Sequence, residues 1–371
     1  MALREFRPTV DPAAMEDLRT RLSMTRWPDQ ITNAGWTYGM DTDVLRAFVD
    51  RWRNGYDWTA EQARLQSVRH VLVDVDGFAV HVVHERSAHR GPAMPVVLLH
   101  GWPGSFVQFL PLIPLLTAPA DPADAFDVVA MSLPGFGFGD RPTEPGMDVA
   151  RIADLVGSVM TQLGYDRFAG RGSDLGAGVL QQLALRQPDR LVALHLSGTN
   201  PYLGDVPPDL SEAEQRFVAA AQQWNQAEMA YAMEHSSKPQ TLAHALNDSP
   251  AGLASWILEK FHRWSDGGLA AYSRDELLTN LTVYWATGTI GSSMRLYYET
   301  VRSSHAAWGR VEVPTGMAMS DRDMFPTPRE WVERSYRVVH WTDLPRGGHF
   351  LEWEAPDLIA EDMRGFFRSY R

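Results

Sequence analysis

The chain has 371 residues, 44% of them hydrophobic and 22% charged, a balance that suits a folded protein with a large buried core. Its net charge of −12 argues against a nucleic-acid or anionic-membrane partner, and the absence of cysteine excludes a disulfide framework, a thiol nucleophile and a thiolate metal site. No uninterrupted apolar run reaches the roughly 18 residues needed to cross a bilayer. Met1–Val10 is charged and Pro-containing, so neither a signal peptide nor a membrane anchor is expected.

In chain order, Asp11-Pro12 is a good helix start, and the helix should run to about Ser23. Leu45, Phe48, Val49 and Trp52 recur at helical spacing, so a second helix buries that face. Val71–Val75 and Phe78–Val82 alternate around Asp76-Gly77, a hairpin signal. From Pro95 the pattern changes to short apolar strands, Val96–Leu99, Val128–Met131, Phe168–Gly170 and Leu191–Leu196, with helices such as Val149–Leu163 and Gly176–Arg186 between them. Apolar runs separated by helices predict βαβ units and a parallel sheet covered on both faces. After Asn200 the pattern is helical: Ser211–Met233, a helix from the Asp248-Ser249-Pro250 cap to about Phe261, and Arg274–Trp285. Strand-helix alternation resumes at Val311–Met319 and ends in a helix from about Pro356 to Tyr370. A helical insert between two parts of a parallel sheet is a cap over the carboxyl ends of the strands, where such sheets bind ligands. The expected division is an N-terminal extension of helices plus hairpin at 1–92, a core at 93–200 and 306–371, and a helical cap at 201–305.

Within the core, Gly172-Ser173-Asp174-Leu175-Gly176 follows a strand and opens a helix. This is the small-x-nucleophile-x-small pattern of a sharp strand-to-helix elbow, with a carboxylate where esterases carry Ser. The frame selects Asp174, because Ser173 as nucleophile would put Arg171 and Leu175 at the two crowded positions. A carboxylate is suited to displacing a leaving group from saturated carbon, which leaves an alkyl ester that water must cleave.

Four further features stand where such a nucleophile needs them. The strand Val96–Leu99 ends in His100-Gly101-Trp102-Pro103-Gly104, a turn that can aim the Trp102 N–H at the same point as the Leu175 N–H, making an oxyanion hole. His349, in Arg346-Gly347-Gly348-His349-Phe350, completes the order nucleophile, acid, histidine. His100 is the other histidine to weigh, and it reads as a brace of its turn. The acid should follow the penultimate strand, where Asp321 and Asp323 both stand, and the pattern does not separate them. A ring-opening reaction also needs proton donors on the cap side. Tyr231, Tyr284, Tyr297 and Tyr298 are the available phenols, and composition does not choose among them.

Together these residues resemble the epoxide hydrolases of the α/β-hydrolase superfamily, in the microsomal-type branch with a long N-terminal extension. The resemblance spans nearly the whole chain: Phe6-Arg7-Pro8, Arg26-Trp27-Pro28, His100–Phe106, Lys238-Pro239, Ala245–Pro250, Ile257–Phe261, Leu277–Asn280, Tyr284-Trp285 with Thr287–Ile290, and Arg346–Phe350. It implies an α/β-hydrolase fold with a mostly parallel sheet and a cap, an epoxide and water as reactants, a vicinal diol as product, and no cofactor or metal. It implies Asp174 as nucleophile and His349 as the water-activating base. Tyr231, ahead of Lys238-Pro239, and Tyr297, in the string Ser292-Ser293-Met294-Arg295-Leu296-Tyr297, become the cap pair. Asp323, between Val313–Gly316 and Thr327-Pro328, becomes the orienting acid. Two departures stand out. Ser173 and Leu175 replace the Gly and Trp usual at the elbow, and His235 stands where a Gln is common. A bulky apolar or aromatic epoxide, a cytoplasmic location and a homodimer are further expectations.

Three rivals remain on the sequence. A haloalkane dehalogenase shares the Asp nucleophile but wants an indole-type N–H beside it, which Leu175 lacks. A dinucleotide oxidoreductase is suggested by Gly170-x-Gly172, yet the third glycine of that fingerprint falls on Leu175. A non-catalytic protein on the same scaffold is the third.

Overall fold

Asp76 and Gly77 both adopt positive φ, 52° and 78°. A two-residue hairpin turn needs this at both central positions for its twist to match that of the strands. A computed structural model describes residues 3–198, 206–325 and 327–371. The turn joins β2 (His70–Val75) to β3 (Phe78–Glu85), and β1 (Leu3–Phe6), which the sequence pattern missed, pairs antiparallel with β2. The remaining strands are β4 (Met94–Leu99), β5 (Phe126–Met131), β6 (Phe168–Ser173), β7 (Leu191–Ser197), β8 (Val311–Met319) and β9 (Tyr336–Asp343). They form one sheet in the order β1-β2-β3-β5-β4-β6-β7-β8-β9, parallel from β5 to β9 and antiparallel from β1 to β5. The chain steps from β4 to β5 on one side and later to β6 on the other. The carboxyl ends of β4 and β6 therefore flank a switch point, the place where open α/β sheets leave a crevice.

Helices form where their signals stand. Asp11 caps Pro12–Ser23 by accepting from the Ala13 N–H. The helix Thr42–Asn54 buries Leu45, Phe48, Val49 and Trp52, each contributing roughly 1.5–3 kcal/mol of apolar burial. Asp148 caps Val149–Gln162, and Ser249 caps Pro250–Trp264 with Pro250 at the first position. The expected single helix Ser211–Met233 is instead two. Ser211 closes a capping box with Glu214 on Glu212–Glu228, and a second helix, Ala230–Ser237, starts after Met229. Pro239–Asp248 and Ile290–Val301 are further helices that no cap signal announced. The 200/201 boundary expected between core and cap lies outside the described residues.

The extension grips the helix Arg274–Thr287. Arg51 forks onto Asp275 at 2.8 and 2.6 Å, the Trp52 indole N–H donates to Thr282 Oγ1 at 2.9 Å, and Tyr56 and Thr279 share a hydrogen bond of 2.9 Å. That helix in turn holds the loop after β4. Asn280 donates to the Pro103 carbonyl at 3.0 Å and accepts from Ser105 at 2.6 Å, and the Tyr284 hydroxyl donates to the Gly104 carbonyl at 2.9 Å. Among the described residues no helix is long and apolar enough to cross a membrane.

Candidate active site

β6 runs into the helix Asp174–Arg186 through a turn so sharp that Asp174 sits at φ +51°. For a non-glycine residue this conformation costs about 1–2 kcal/mol and persists only when its surroundings enforce it. They do: a Cβ on Gly176 would lie 2.1 Å from the Leu99 carbonyl oxygen, and one on Gly101 would lie 2.3 Å from the Asp174 Cβ. Of the two small positions in the elbow frame, Gly176 is set by backbone contact with β4, and Gly172 by the Gly176 backbone and the Leu180 side chain.

The Trp102 N–H donates to Asp174 Oδ1 at 3.0 Å, and the Leu175 N–H also bonds this carboxylate. His349 Nε2 lies 3.6 Å from Asp174 Oδ2, an ion-pair distance, and its Nδ1 donates to Asp323 Oδ1 at 3.0 Å. Asp323 is held in turn by the Met324 N–H at 2.7 Å, whereas Asp321 is exposed and makes no contact with His349 among these. Burial alone would raise the Asp174 carboxyl, but His349 and the two backbone N–H donors hold it below the usual carboxylate value. Burial alone would lower His349, but the carboxylates of Asp323 and Asp174 outweigh it and lift the imidazole well above its usual value. The two carboxylates thus favour the protonated form of the imidazole.

The cap supplies an aromatic roof. Tyr231 and Tyr297 are 5% and 9% exposed, with ring centroids 6.0 Å apart. The Trp102 indole stacks on Tyr231 at 5.2 Å and meets Tyr297 edge-on at 6.3 Å. Burial first, then Tyr231 and the Asp174 charge, raises Tyr297 well above the ordinary phenol value, so it keeps its proton. The Tyr297 hydroxyl interacts with the Tyr231 side chain, and among the described residues the indole N–H groups of Trp102 and Trp264 meet no hydrogen-bond partner. The other two phenols stand elsewhere: Tyr284 is spent on the Gly104 carbonyl, and Tyr298 lies under the Arg302 guanidinium at 3.8 Å. His100 accepts from the Leu133 N–H at 3.2 Å, the bracing contact expected of it.

Sequence reasoning missed the residues that hold the His349 turn. Glu354 accepts from the N–H groups of Gly348 and Phe350, both at 2.9 Å, and from Asp266 at 2.7 Å, while the His349 N–H donates to the Trp264 carbonyl at 2.8 Å. The turn is thus stitched to the cap at 264–266. Beneath the elbow, Arg171 and Glu352, both fully buried, pair at 2.9 Å. Their one signal was ionisable residues in stretches that otherwise read as buried. Among the described residues no group of three or more His, Asp or Glu could hold a metal ion.

Residues 3–109 match the family described as "Epoxide hydrolase N terminus", and residues 94–258 match "alpha/beta hydrolase fold". A provisionally named epoxide hydrolase of Stigmatella aurantiaca is 40% identical over 99% of this chain and 85% of its own length. Epoxide hydrolase 1 of Sus scrofa is 32% identical over 98% of this chain and 88% of its own. The structure of Aspergillus niger epoxide hydrolase superimposes with a TM-score of 0.90 at 28% identity, covering 100% of this chain and 97% of that one. With this fold and this likeness along its whole length, the chain belongs to the epoxide hydrolase family.

Proposed function

We propose that the chain hydrolyses an apolar or aromatic epoxide to a vicinal diol through an ester on Asp174. Tyr231 and Tyr297 hydrogen-bond the epoxide oxygen, and Asp174 attacks one ring carbon from the opposite side. The C–O bond breaks, and a tyrosine proton goes to the departing oxygen, so no free alkoxide forms. Esterification removes the negative charge beside His349. The imidazole then loses one of the two anions that raised it, its proton passes through water to the tyrosinate left by ring opening, and it becomes the base that the second step needs. His349, oriented by Asp323, takes a proton from water, and the hydroxide attacks the Asp174 carbonyl. The N–H groups of Trp102 and Leu175 stabilise the oxyanion; its collapse breaks the ester C–O bond, and the departing alkoxide takes the proton held by His349 as the diol leaves.

The observation that carries this reading is the Asp174 carboxylate taking the Trp102 N–H at 3.0 Å, with His349 Nε2 at 3.6 Å from it and Asp323 at 3.0 Å behind that imidazole. The division into extension (1–92), core (93–200 with 306–371) and cap (201–305) belongs to it: core and loop supply the acid-base chemistry, and the cap supplies the phenols. A single turnover in isotopically labelled water tests it. Label should enter Asp174, located by peptide mass spectrometry, before it enters the diol; label appearing directly in the diol overturns the covalent route. A panel of styrene-type, aliphatic and polycyclic epoxides, assayed by chiral chromatography, tests the substrate class. Cell fractionation checks the cytoplasmic location, and sedimentation checks the homodimer.

A second reading has one observation in its favour. Halide displacement by Asp174 needs N–H donors for the leaving ion. Leu175 has no side-chain N–H, but the indole N–H groups of Trp102 and Trp264, without a partner among the described residues, would be donors from other elements. Halide release from primary haloalkanes at a rate comparable to epoxide opening would establish it as a companion reaction.

A further inference from the structure

His235 lies one helical turn beyond Tyr231 on Ala230–Ser237, so the two side chains share a face. Its imidazole is fully buried, with ring centroids 4.6 Å from Trp102, 5.0 Å from Tyr297 and 5.5 Å from Tyr231. These are the rings of the catalytic roof. On another side the Trp256 indole N–H donates to His235 Nε2 at 3.1 Å. A nitrogen that accepts carries no proton, so the neutral ring bears its proton on Nδ1. Burial first, then the Lys260 charge, lowers the imidazole to about 3, so it gains no second proton at any working pH. The Nδ1–H is therefore a neutral donor with its tautomer fixed by a neighbour, and it meets no acceptor among the described residues. An apolar side chain would fill the same space with no buried, unsatisfied donor.

We propose that His235 is a substrate-recognising residue. Its Nδ1–H binds an acceptor oxygen on the organic part of the substrate while Tyr231 and Tyr297 hold the oxirane. The substrate class is then epoxides that carry a carbonyl or ether oxygen a few bonds from the ring, rather than plain hydrocarbons. Tyr297 and Trp102 border the same imidazole, so the acceptor would sit beside the reacting group. This rests on the proposed epoxide hydrolysis and deepens it.

The test compares kcat/KM for a glycidyl ether and for its isostere with methylene in place of the ether oxygen. The readout is the ratio of the two. In the wild type the ether is favoured. In His235→Phe the ratio should fall about ten- to a hundredfold, because the donor is gone, and in His235→Gln much of it should return, because an amide N–H can replace it. Trp256→Phe removes the group that fixes the tautomer and should lower the ratio severalfold, which keeps the test available should His235→Phe not fold. A ratio within about threefold of wild type in His235→Phe and Trp256→Phe overturns the inference and leaves the epoxide reading standing. Failure of the wild type to hydrolyse either compound, with no ester found on Asp174, overturns the epoxide reading itself, and the role of His235 falls with it.

Discussion

On the core side of the site the ionisable groups are already engaged within the protein. Asp174 takes the N–H groups of Trp102 and Leu175, His349 lies between Asp174 and Asp323, and Glu354 ties down the turn that carries His349. Facing them, in a wall of stacked and edge-on rings, Tyr297 meets the neutral Tyr231 side chain, and His235 Nδ1 has no partner among the described residues. The difference follows from charge. A buried ion must be compensated by the fold or it loses its charge, whereas a neutral donor can be held without an acceptor at about 1–3 kcal/mol. The core side is thus prepared for groups that change charge during reaction, and the cap side for a neutral oxygen that arrives with the substrate.

This contrast predicts larger losses from core-side substitutions than from cap-side ones. Asp174→Asn should abolish turnover, by about 10⁴-fold or more, apart from any fraction that deamidates; steady-state diol formation with mass analysis of the protein checks this. His349→Gln should leave ring opening intact but stop ester hydrolysis, lowering kcat by about 10³–10⁴-fold. The intact protein should then gain the mass of one substrate. Asp323→Asn should cost about 10²–10⁴-fold and move the His349 titration down, read by imidazole NMR, since one of the two carboxylates that raise it loses its charge. On the cap side, Tyr297→Phe should slow the single-turnover alkylation about ten- to a hundredfold and leave ester hydrolysis unchanged, because the second phenol still donates. A Tyr297→Phe loss as large as that of Asp174→Asn would break the comparison.

The smallest effect is on stability. His100 and His235 are held neutral with pKa values of about 4 and about 3, below the roughly 6.5 of an unfolded histidine. The unfolded chain therefore binds more protons as pH falls through about 6.5, and each group should lower stability by about 1.4 kcal/mol per pH unit from there toward its folded value. His349 has the opposite sign. Its raised value contributes stability that is fully present below about 6.5 and is lost as pH rises through the folded pKa. Urea unfolding from pH 7 down to pH 4.5, with His235→Phe flattening the slope, checks the first effect.

Local chemistry made much of the molecule legible. Asp76-Gly77 could form little but a tight hairpin turn, Pro at the first helical position marked two starts, and apolar strands of β4 to β8 spelled a covered parallel sheet. The elbow around Asp174 was legible because steric crowding admits only small residues at 172 and 176. The helix Ile290–Val301 escaped because it carries no side-chain cap, Pro239–Asp248 had only its first-position proline to mark it, and β1 escaped because four residues at a sheet edge, mostly exposed, leave no period to read.

Sequence by itself determined the residue types that chemistry requires: a carboxylate at the elbow, a histidine in a glycine turn, and phenols in the insert. The residue pattern left Asp321 and Asp323 level, and the family resemblance favoured Asp323; the tertiary structure sets Asp323 against His349, spends Tyr284 on the Gly104 carbonyl and packs Trp102, Tyr231, His235 and Tyr297 together. Those choices depend on distance between groups far apart in the chain, and on which polar atoms find partners there, neither of which has a local pattern to carry it.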